Sequence, residues 1–293
     1  MSRIAYVNGR YAPHAAATVH VEDRGYQFAD GVYEVIAVAD GRLIDAGPHM
    51  ERLARSLAEL AIAMPMTPSA LTVVLRETVR RNRVHNGIVY LQVTRGVTRR
   101  DHPFPRQAVP PAVVATARRT TPPSPAAVEA GVGAITIPDI RWDRCDIKSV
   151  ALLPNVLAKQ QARAAGAFEA WQVDRDGYVT EGASTNAWIV TADGSLVTRP
   201  VENAILAGIT RLRLLDLARQ AGIKVELRPF TVAEAKQARE AFITSTTSFV
   251  MPVTRIDDQS IGNGRAGAIA LRLRNLYESF IMDRAAPALR FAA

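Results

Sequence analysis

The sequence is short of cysteine, of aromatic side chains and of lysine, and each shortage removes options. Cys145 is the one cysteine in 293 residues, so no disulfide can close within the chain and a disulfide-stapled scaffold is excluded. A lone thiol suits a reducing, cytoplasmic setting. Aromatic residues make up 6% of the chain, which leaves little stacking surface for single-stranded nucleic acid. No zinc-type Cys/His spacing is present, and no metal is expected. No apolar run reaches the roughly 18 residues of a membrane span. The start, Met1-Ser2-Arg3-Ile4-Ala5-Tyr6, enters a strand pattern without the apolar core of a secretion signal.

What is abundant is arginine. The net charge is +8 and the isoelectric point is near 10, but the arginines are scattered as short-spaced pairs such as Arg52/Arg55 and Arg211/Arg213 rather than massed in one block. That pattern favours attraction of small anions over a nucleic-acid interface. Of 36 basic residues only four are lysines: Lys148, Lys159, Lys224 and Lys236. Arginine stays protonated, so it cannot replace lysine where a free primary amine must bond a carbonyl carbon. Lys159, Lys224 and Lys236 have charged and polar neighbours, as solvated lysines do. Lys148 ends a mixed polar stretch and precedes the apolar run Val150-Ala151-Leu152-Leu153. Taken alone, it reads more readily as a surface lysine than as a nucleophile.

The length allows two domains. In the first, the patterns predict strands at Ile4–Val7, Val32–Val38, Ile88–Thr94 and Ala112–Ala115. Asn8-Gly9 and Asp40-Gly41 read as tight turns. Helices are expected over 48–63 and Ser69–Arg83. Glu22–Gly31 and Arg99–Pro103 read as polar loops. The proline-dense Thr120–Pro125 reads as a linker, because proline denies continued helix or central strand. The expected division is residues 1–119, a linker over 120–131, and 132–293. In the second part we expect a strand at Val132–Ile137 and a helix at Asn155–Ala165, then hairpins around Asp176-Gly177 and Asp193-Gly194. A helix over Gly208–Gln220, a strand ending in Ser245-Thr246, and a helix over Ala266–Met282 follow. The class is α/β (α+β).

Four motifs carry chemistry. Gly208-Ile209-Thr210 opens a helix, where free backbone N–H groups and a hydroxyl suit phosphate. Ser245-Thr246-Thr247-Ser248 offers hydroxyls at a strand end, although such residues also simply make turns. Two phosphate-type loops with one candidate lysine suggest a phosphorylated carbonyl cofactor, pyridoxal phosphate. Glu181, in Thr180-Glu181-Gly182-Ala183-Ser184-Thr185-Asn186, can hold a pyridine nitrogen protonated. By contrast, Gly262-Asn263-Gly264-Arg265-Ala266-Gly267 matches a dinucleotide fingerprint but lacks the βαβ context and the acidic residue that follows it, so a glycine turn is the better reading.

In this order and spacing the pieces resemble the class IV pyridoxal-phosphate aminotransferases. The resemblance runs from Asp23-Arg24-Gly25 and Asp30-Gly31-Val32-Tyr33-Glu34, through His49-x-x-Arg52, Lys148 and Glu181, to Gly208–Arg211 and Ser245-Thr246. It implies a two-domain fold with the cofactor in the interdomain cleft, a homodimer, and Lys148 as Schiff-base lysine and proton shuttle. Glu181 would face the pyridine nitrogen. Arg52, Ile209, Thr210, Ser245 and Thr246 would hold the phosphate. After Tyr90-Leu91-Gln92, the pair Arg100 and His102 matches the carboxylate-binding pair of the D-amino acid members, with Tyr33 completing that site. The activity implied is transamination between a D-amino acid such as D-alanine and a 2-oxo acid such as 2-oxoglutarate. Branched-chain L-aminotransferase and aminodeoxychorismate lyase are the rivals on the same fold. Phe249 departs from the family pattern, which places the cofactor wall or side-chain pocket in question.

Overall fold

The computed structural model describes residues 3–283, together with Leu289 and Phe291. The chain divides into two compact units. The first takes the described residues up to Thr121 and also Ile147–Ala151. The second takes Pro122–Asp146 and the described residues from Leu152 to Asp283. The lysine segment therefore belongs with the first unit, and not with the later residues as expected from its place in the sequence.

The first unit contains strands β1 (Ile4–Val7), β2 (Arg10–Pro13), β3 (Gly31–Ala39), β4 (Arg42–Leu43), β5 (Gly87–Thr94) and β6 (Ala112–Arg119), with helices α1 (Arg24–Phe28), α2 (Ala46–Glu59) and α3 (Pro68–Arg81). The strands form one sheet in the order β2-β1-β6-β5-β3-β4, antiparallel throughout. Asn8 and Gly9 both take positive φ, as do Asp40 and Gly41, the backbone that two-residue hairpins need. Leu53, Leu57, Leu71 and Leu75 from the helices meet Val32, Ile36, Val89 and Leu91 from the sheet in a single core. Thr67 caps α3, accepting from the Ala70 amide, with Pro68 in its first turn.

Two segments expected to be irregular are helical. In the polar stretch 22–31, the Asp23 side chain accepts from the Gly25 amide and Ala29, at φ 55, ends the helix in the left-handed region. Capping at both ends makes one turn of helix from residues with no apolar period. In the stretch read as a linker, Ser124 caps α4 (Pro125–Ala130) and proline stands in the first turn, where its missing N–H costs nothing.

The second unit contains α4 and a nine-stranded sheet built from β7 (Val132–Pro138), β8 (Glu169–Val173), β9 (Val179–Gly182), β10 (Asn186–Val190), β11 (Leu196–Thr198), β12 (Val225–Leu227), β13 (Glu240–Ser245), β14 (Phe249–Ile256) and β15 (Gln259–Ser260). Its other helices are α5 (Leu153–Ala164), α6 (Ile209–Gln220), α7 (Val232–Gln237) and α8 (Ala268–Met282). The order is β12-β11-β10-β13-β14-β7-β8-β9, with β15 beside β14. The pairs β14/β7, β7/β8 and β11/β12 are parallel and the others antiparallel. Trp171, Ile189, Phe230, Ile243 and Val253 fill its core.

Candidate active site

Lys148 is held by the edge of β3. The partner strand β4 pairs only with Val38 and Ala39, so the beginning of β3 has a free edge. Residues 148–150 take it: the Tyr33 amide donates to the Lys148 carbonyl at 3.0 Å and the Val150 amide to the Gly31 carbonyl at 3.0 Å. The Lys148 amide in turn donates to Ser56 Oγ on α2 at 3.3 Å. The side chain then lies with Nζ 4.3 Å from the centre of the Tyr33 ring, and Tyr33 stacks on Tyr90 at 5.7 Å. An ammonium group against a π face is favoured by about 0.5–2 kcal/mol. Burial pushes the Tyr90 hydroxyl up to about 12, with Tyr33 adding to the effect, so Tyr90 is a neutral phenol at physiological pH.

Successive residues of a strand face opposite sides. Glu34 therefore turns away from Tyr33 and enters α2. Its fully buried carboxylate accepts from Arg52 Nε at 2.8 Å, from Arg52 Nη2 at 2.7 Å and from His49 Nδ1 at 2.6 Å. Burial pushes the Glu34 pKa up, but the Arg52 guanidinium and His49 outweigh it and bring it down to about 2. Burial holds His49 below its usual value despite Glu34, so a neutral imidazole donates through Nδ1. Arg52 is thus braced by a bidentate carboxylate.

Arg100 and His102 stand exposed on the loop after β5. The Arg100 guanidinium lies 4.9 Å from the centre of the Phe28 ring, and the His102 ring is 5.5 Å from the same ring. The structure brings the pair together on one aromatic surface in the first unit.

In the second unit Glu181 is buried, and both oxygens of its carboxylate accept hydrogen bonds. Arg141 Nη1 donates to Oε1, while Asn186 Nδ2 at 2.9 Å and the Leu206 amide at 3.1 Å donate to Oε2. Arg141 also reaches Asp139 at 2.7 Å and Thr180 at 3.2 Å. Burial depresses the Arg141 pKa, but Glu181 and Asp139 raise it overall, so the guanidinium stays charged. Asn186 fixes the surroundings as well. It donates to the Leu206 carbonyl at 2.9 Å and pairs across the sheet with Thr244, one residue before Ser245. A Cβ on Gly208 would lie 2.1 Å from Asn186 Oδ1, so only glycine lets the start of α6 come this close. Asn186 thereby ties Glu181, the N-terminus of α6 at Ile209-Thr210 and the end of β13 into one assembly.

The first intrahelical bond of α6 runs from Leu212 to Gly208. Among the described residues the amides of Ile209 and Thr210 have no protein acceptor, as at any helix start. Ser245 Oγ accepts from the Ser248 amide at 3.1 Å and lies 3.3 Å from Thr247 Oγ1; it closes the turn and keeps one further hydrogen-bonding position, a donor or a lone pair. Phe249, at φ 57, points its ring at Tyr277 of α8, 5.4 Å away. Cys145 is poorly suited to nucleophilic work, because burial pushes its thiol up to about 12.

Glu34, Asp139 and Arg141 escaped the reading of the sequence. Arg141 lies 40 residues from Glu181, and nothing in local pattern links them. Glu34 was legible only as part of the stretch Asp30–Glu34. Among the described residues, no cluster of His, Cys, Asp and Glu is placed to hold a metal, and no helix is long and apolar enough to cross a membrane.

Residues 31–256 match the family described as Amino-transferase class IV. The chain is 40% identical over 279 residues to a D-alanine aminotransferase of Staphylococcus haemolyticus, covering 95% of this chain and 98% of that one. It is 42% identical over 279 residues to a D-alanine aminotransferase of Bacillus licheniformis, with 95% and 97% covered. Among solved structures it superposes on a T.th. branched-chain amino acid aminotransferase with pyridoxamine 5'-phosphate, at TM-score 0.88 and 28% identity, covering 96% of this chain and 94% of that one. The Escherichia coli branched-chain amino acid aminotransferase has the same fold, at TM-score 0.90, 23% identity and 99% of each chain covered.

Proposed function

The chain belongs to the class IV aminotransferases, and from that premise we propose that it exchanges the amino group of a D-amino acid such as D-alanine with a 2-oxo acid such as 2-oxoglutarate. The cofactor we assign is pyridoxal 5'-phosphate. Each unit offers donors of the right kind for a phosphate dianion: unspent amides at Ile209 and Thr210 and hydroxyls at Ser245 and Thr246 in the second, and a braced guanidinium at Arg52 in the first. Glu181 is a buried carboxylate for the ring nitrogen. When bound, the cofactor supplies the electron sink that makes the substrate α-proton acidic.

The chain's own groups do the rest. Lys148 Nζ would hold the cofactor through its carbonyl carbon, and as a free amine it would accept the substrate α-proton and later return one. Backbone pairing to β3 keeps that amine in place while it is free, which saves the entropy of a wandering lysine. Arg141, Asn186 and the Leu206 amide hold the Glu181 carboxylate in its orientation. Arg100 offers a planar fork to the substrate carboxylate, His102 a second donor, and Tyr33 a hydroxyl beside Lys148.

The observation that carries the D-specific reading is the Arg100–His102 pair on the Phe28 ring, alongside identity of about two residues in five to D-alanine aminotransferases. Similarity in fold to branched-chain enzymes keeps L-leucine as the rival substrate. We also propose a homodimer: Leu153, Val156 and Leu157 form an exposed apolar stripe on α5, with Leu153 69% exposed, as a second copy would need. The lone cysteine fits work in the cytoplasm.

The test is direct. Protein loaded with pyridoxal phosphate and reduced with borohydride should carry the added mass on the peptide containing Lys148, and Lys148→Ala should carry none. D-alanine with 2-oxoglutarate should turn over faster than L-leucine. Label on another lysine, or a preference for L-leucine, overturns the assignment; pyruvate release without any oxo-acid acceptor would point to lyase chemistry.

A further inference from the structure

The motif Asp23-Arg24-Gly25 has no place in the chemistry above, yet its arginine is 3% exposed. A buried arginine is costly unless every donor is used, and the donors of Arg24 are used in an informative way. Nε donates to Asp30 Oδ2 at 2.7 Å. Nη1 donates to the Asp101 carbonyl at 2.5 Å and Nη2 to the His102 carbonyl at 3.2 Å. The guanidinium also lies 4.8 Å from the centre of the Phe28 ring, the ring that carries Arg100 and His102. Asp30 is held from its other side by Arg95 Nε at 2.7 Å and Nη2 at 3.1 Å.

The backbone around Arg24 grips the same loop at its base. The Arg24 amide donates to the Gly96 carbonyl at 3.0 Å, and Asp23 forms an antiparallel bridge with Val97. The loop has no regular structure of its own between Gly96 and Ala112 except at this bridge. Its segment 101–102 therefore depends on side-chain donors for its carbonyls.

We infer that Arg24 is the positioning residue for substrate carboxylate capture. Its two terminal nitrogens pin the carbonyls of Asp101 and His102, and so set where Arg100 and His102 point. This rests on the proposed role of that pair. Lysine at position 24 would keep the charge beside Asp30 but could not span two carbonyls from a planar fork.

Arg24→Lys and Arg24→Ala, each as holoenzyme, decide the matter with two readouts. The first is amide hydrogen exchange of residues 99–104, which requires no turnover. It should quicken in both variants while β5 and β6 stay as protected as in the parent. The second is kinetic. KM for D-alanine should rise about tenfold, the equivalent of one or two lost hydrogen bonds, while kcat, and the slow reaction with ethylamine, which has no carboxylate, change less than twofold. Unchanged exchange at 99–104 overturns the inference whatever the kinetics. So does quickened exchange with unchanged KM when Arg100→Ala raises KM. If Arg100→Ala also leaves KM unchanged, the carboxylate role of the loop fails, and this inference falls with it. Equal losses with D-alanine and ethylamine would mark a merely structural role and overturn it too.

Discussion

Glu34→Gln isolates the buried triad beneath the lysine segment. The substitution keeps the shape and one acceptor oxygen but removes the charge that faces Arg52 and His49. Breaking one side of a buried ion pair costs about 3–5 kcal/mol, because the remaining guanidinium is left without its counter-charge. An independent route gives a similar figure. The Glu34 carboxyl falls from 4.5 to about 2 on folding, which is worth ~3 kcal/mol. The sign follows from the depressed value. This stabilisation is fully present above pH 4.5 and is lost as pH falls through about 2. The stability gap between parent and Glu34→Gln should therefore be about 3–5 kcal/mol at pH 7 and shrink between pH 4.5 and 2. All three tryptophans, Trp142, Trp171 and Trp188, lie in the second unit, so tryptophan fluorescence is the wrong probe. Exchange of β3 and β5 amides across a urea series reads the first unit directly. A gap below 1 kcal/mol at pH 7, or one that does not change with pH, would refute the reasoning. Cofactor retention on dialysis should weaken as well, since Arg52 loses its brace.

Two further perturbations address the second unit. Gly208→Ala needs no change in φ, but its methyl meets Asn186 Oδ1; the clash should cost about 1–3 kcal/mol and loosen the cofactor, measured by urea unfolding with tryptophan fluorescence and by equilibrium dialysis. Arg141→Leu removes the guanidinium that donates to the buried Glu181 carboxylate and should lower stability by about 3–5 kcal/mol. The companion Arg141→Leu/Glu181→Gln should recover part of that loss, and a double variant less stable than the single one would contradict a charge-pair account.

Much of the secondary structure was legible because its causes are local. Asn8-Gly9 and Asp40-Gly41 specify their turns by the positive φ they tolerate. The Leu53/Leu57 and Leu71/Leu75 spacings put one apolar face on each helix. The short helices at Arg24–Phe28 and Pro125–Ala130 were missed because caps make them, and a single turn has no period to detect. Phe249 stood out in the sequence as a departure, and its ring is spent on Tyr277.

The sequence by itself singled out the candidates whose chemistry suits such a site: one lysine ahead of an apolar run, a glutamate among small residues, a glycine-led helix start, and an Arg-x-His pair. Tertiary structure decided what each of them leans on. Lys148 joins the first unit because a short neighbouring strand leaves a free edge on β3 more than a hundred residues away in the chain. Glu181 meets Arg141 in the second unit, and Glu34 meets Arg52 in the first, because each unit's fold carries those partners into a buried place of its own. Ion pairs and backbone edges are satisfied by whatever group the fold brings within about 3 Å, and that distance is set by the sheet rather than by the spacing of letters.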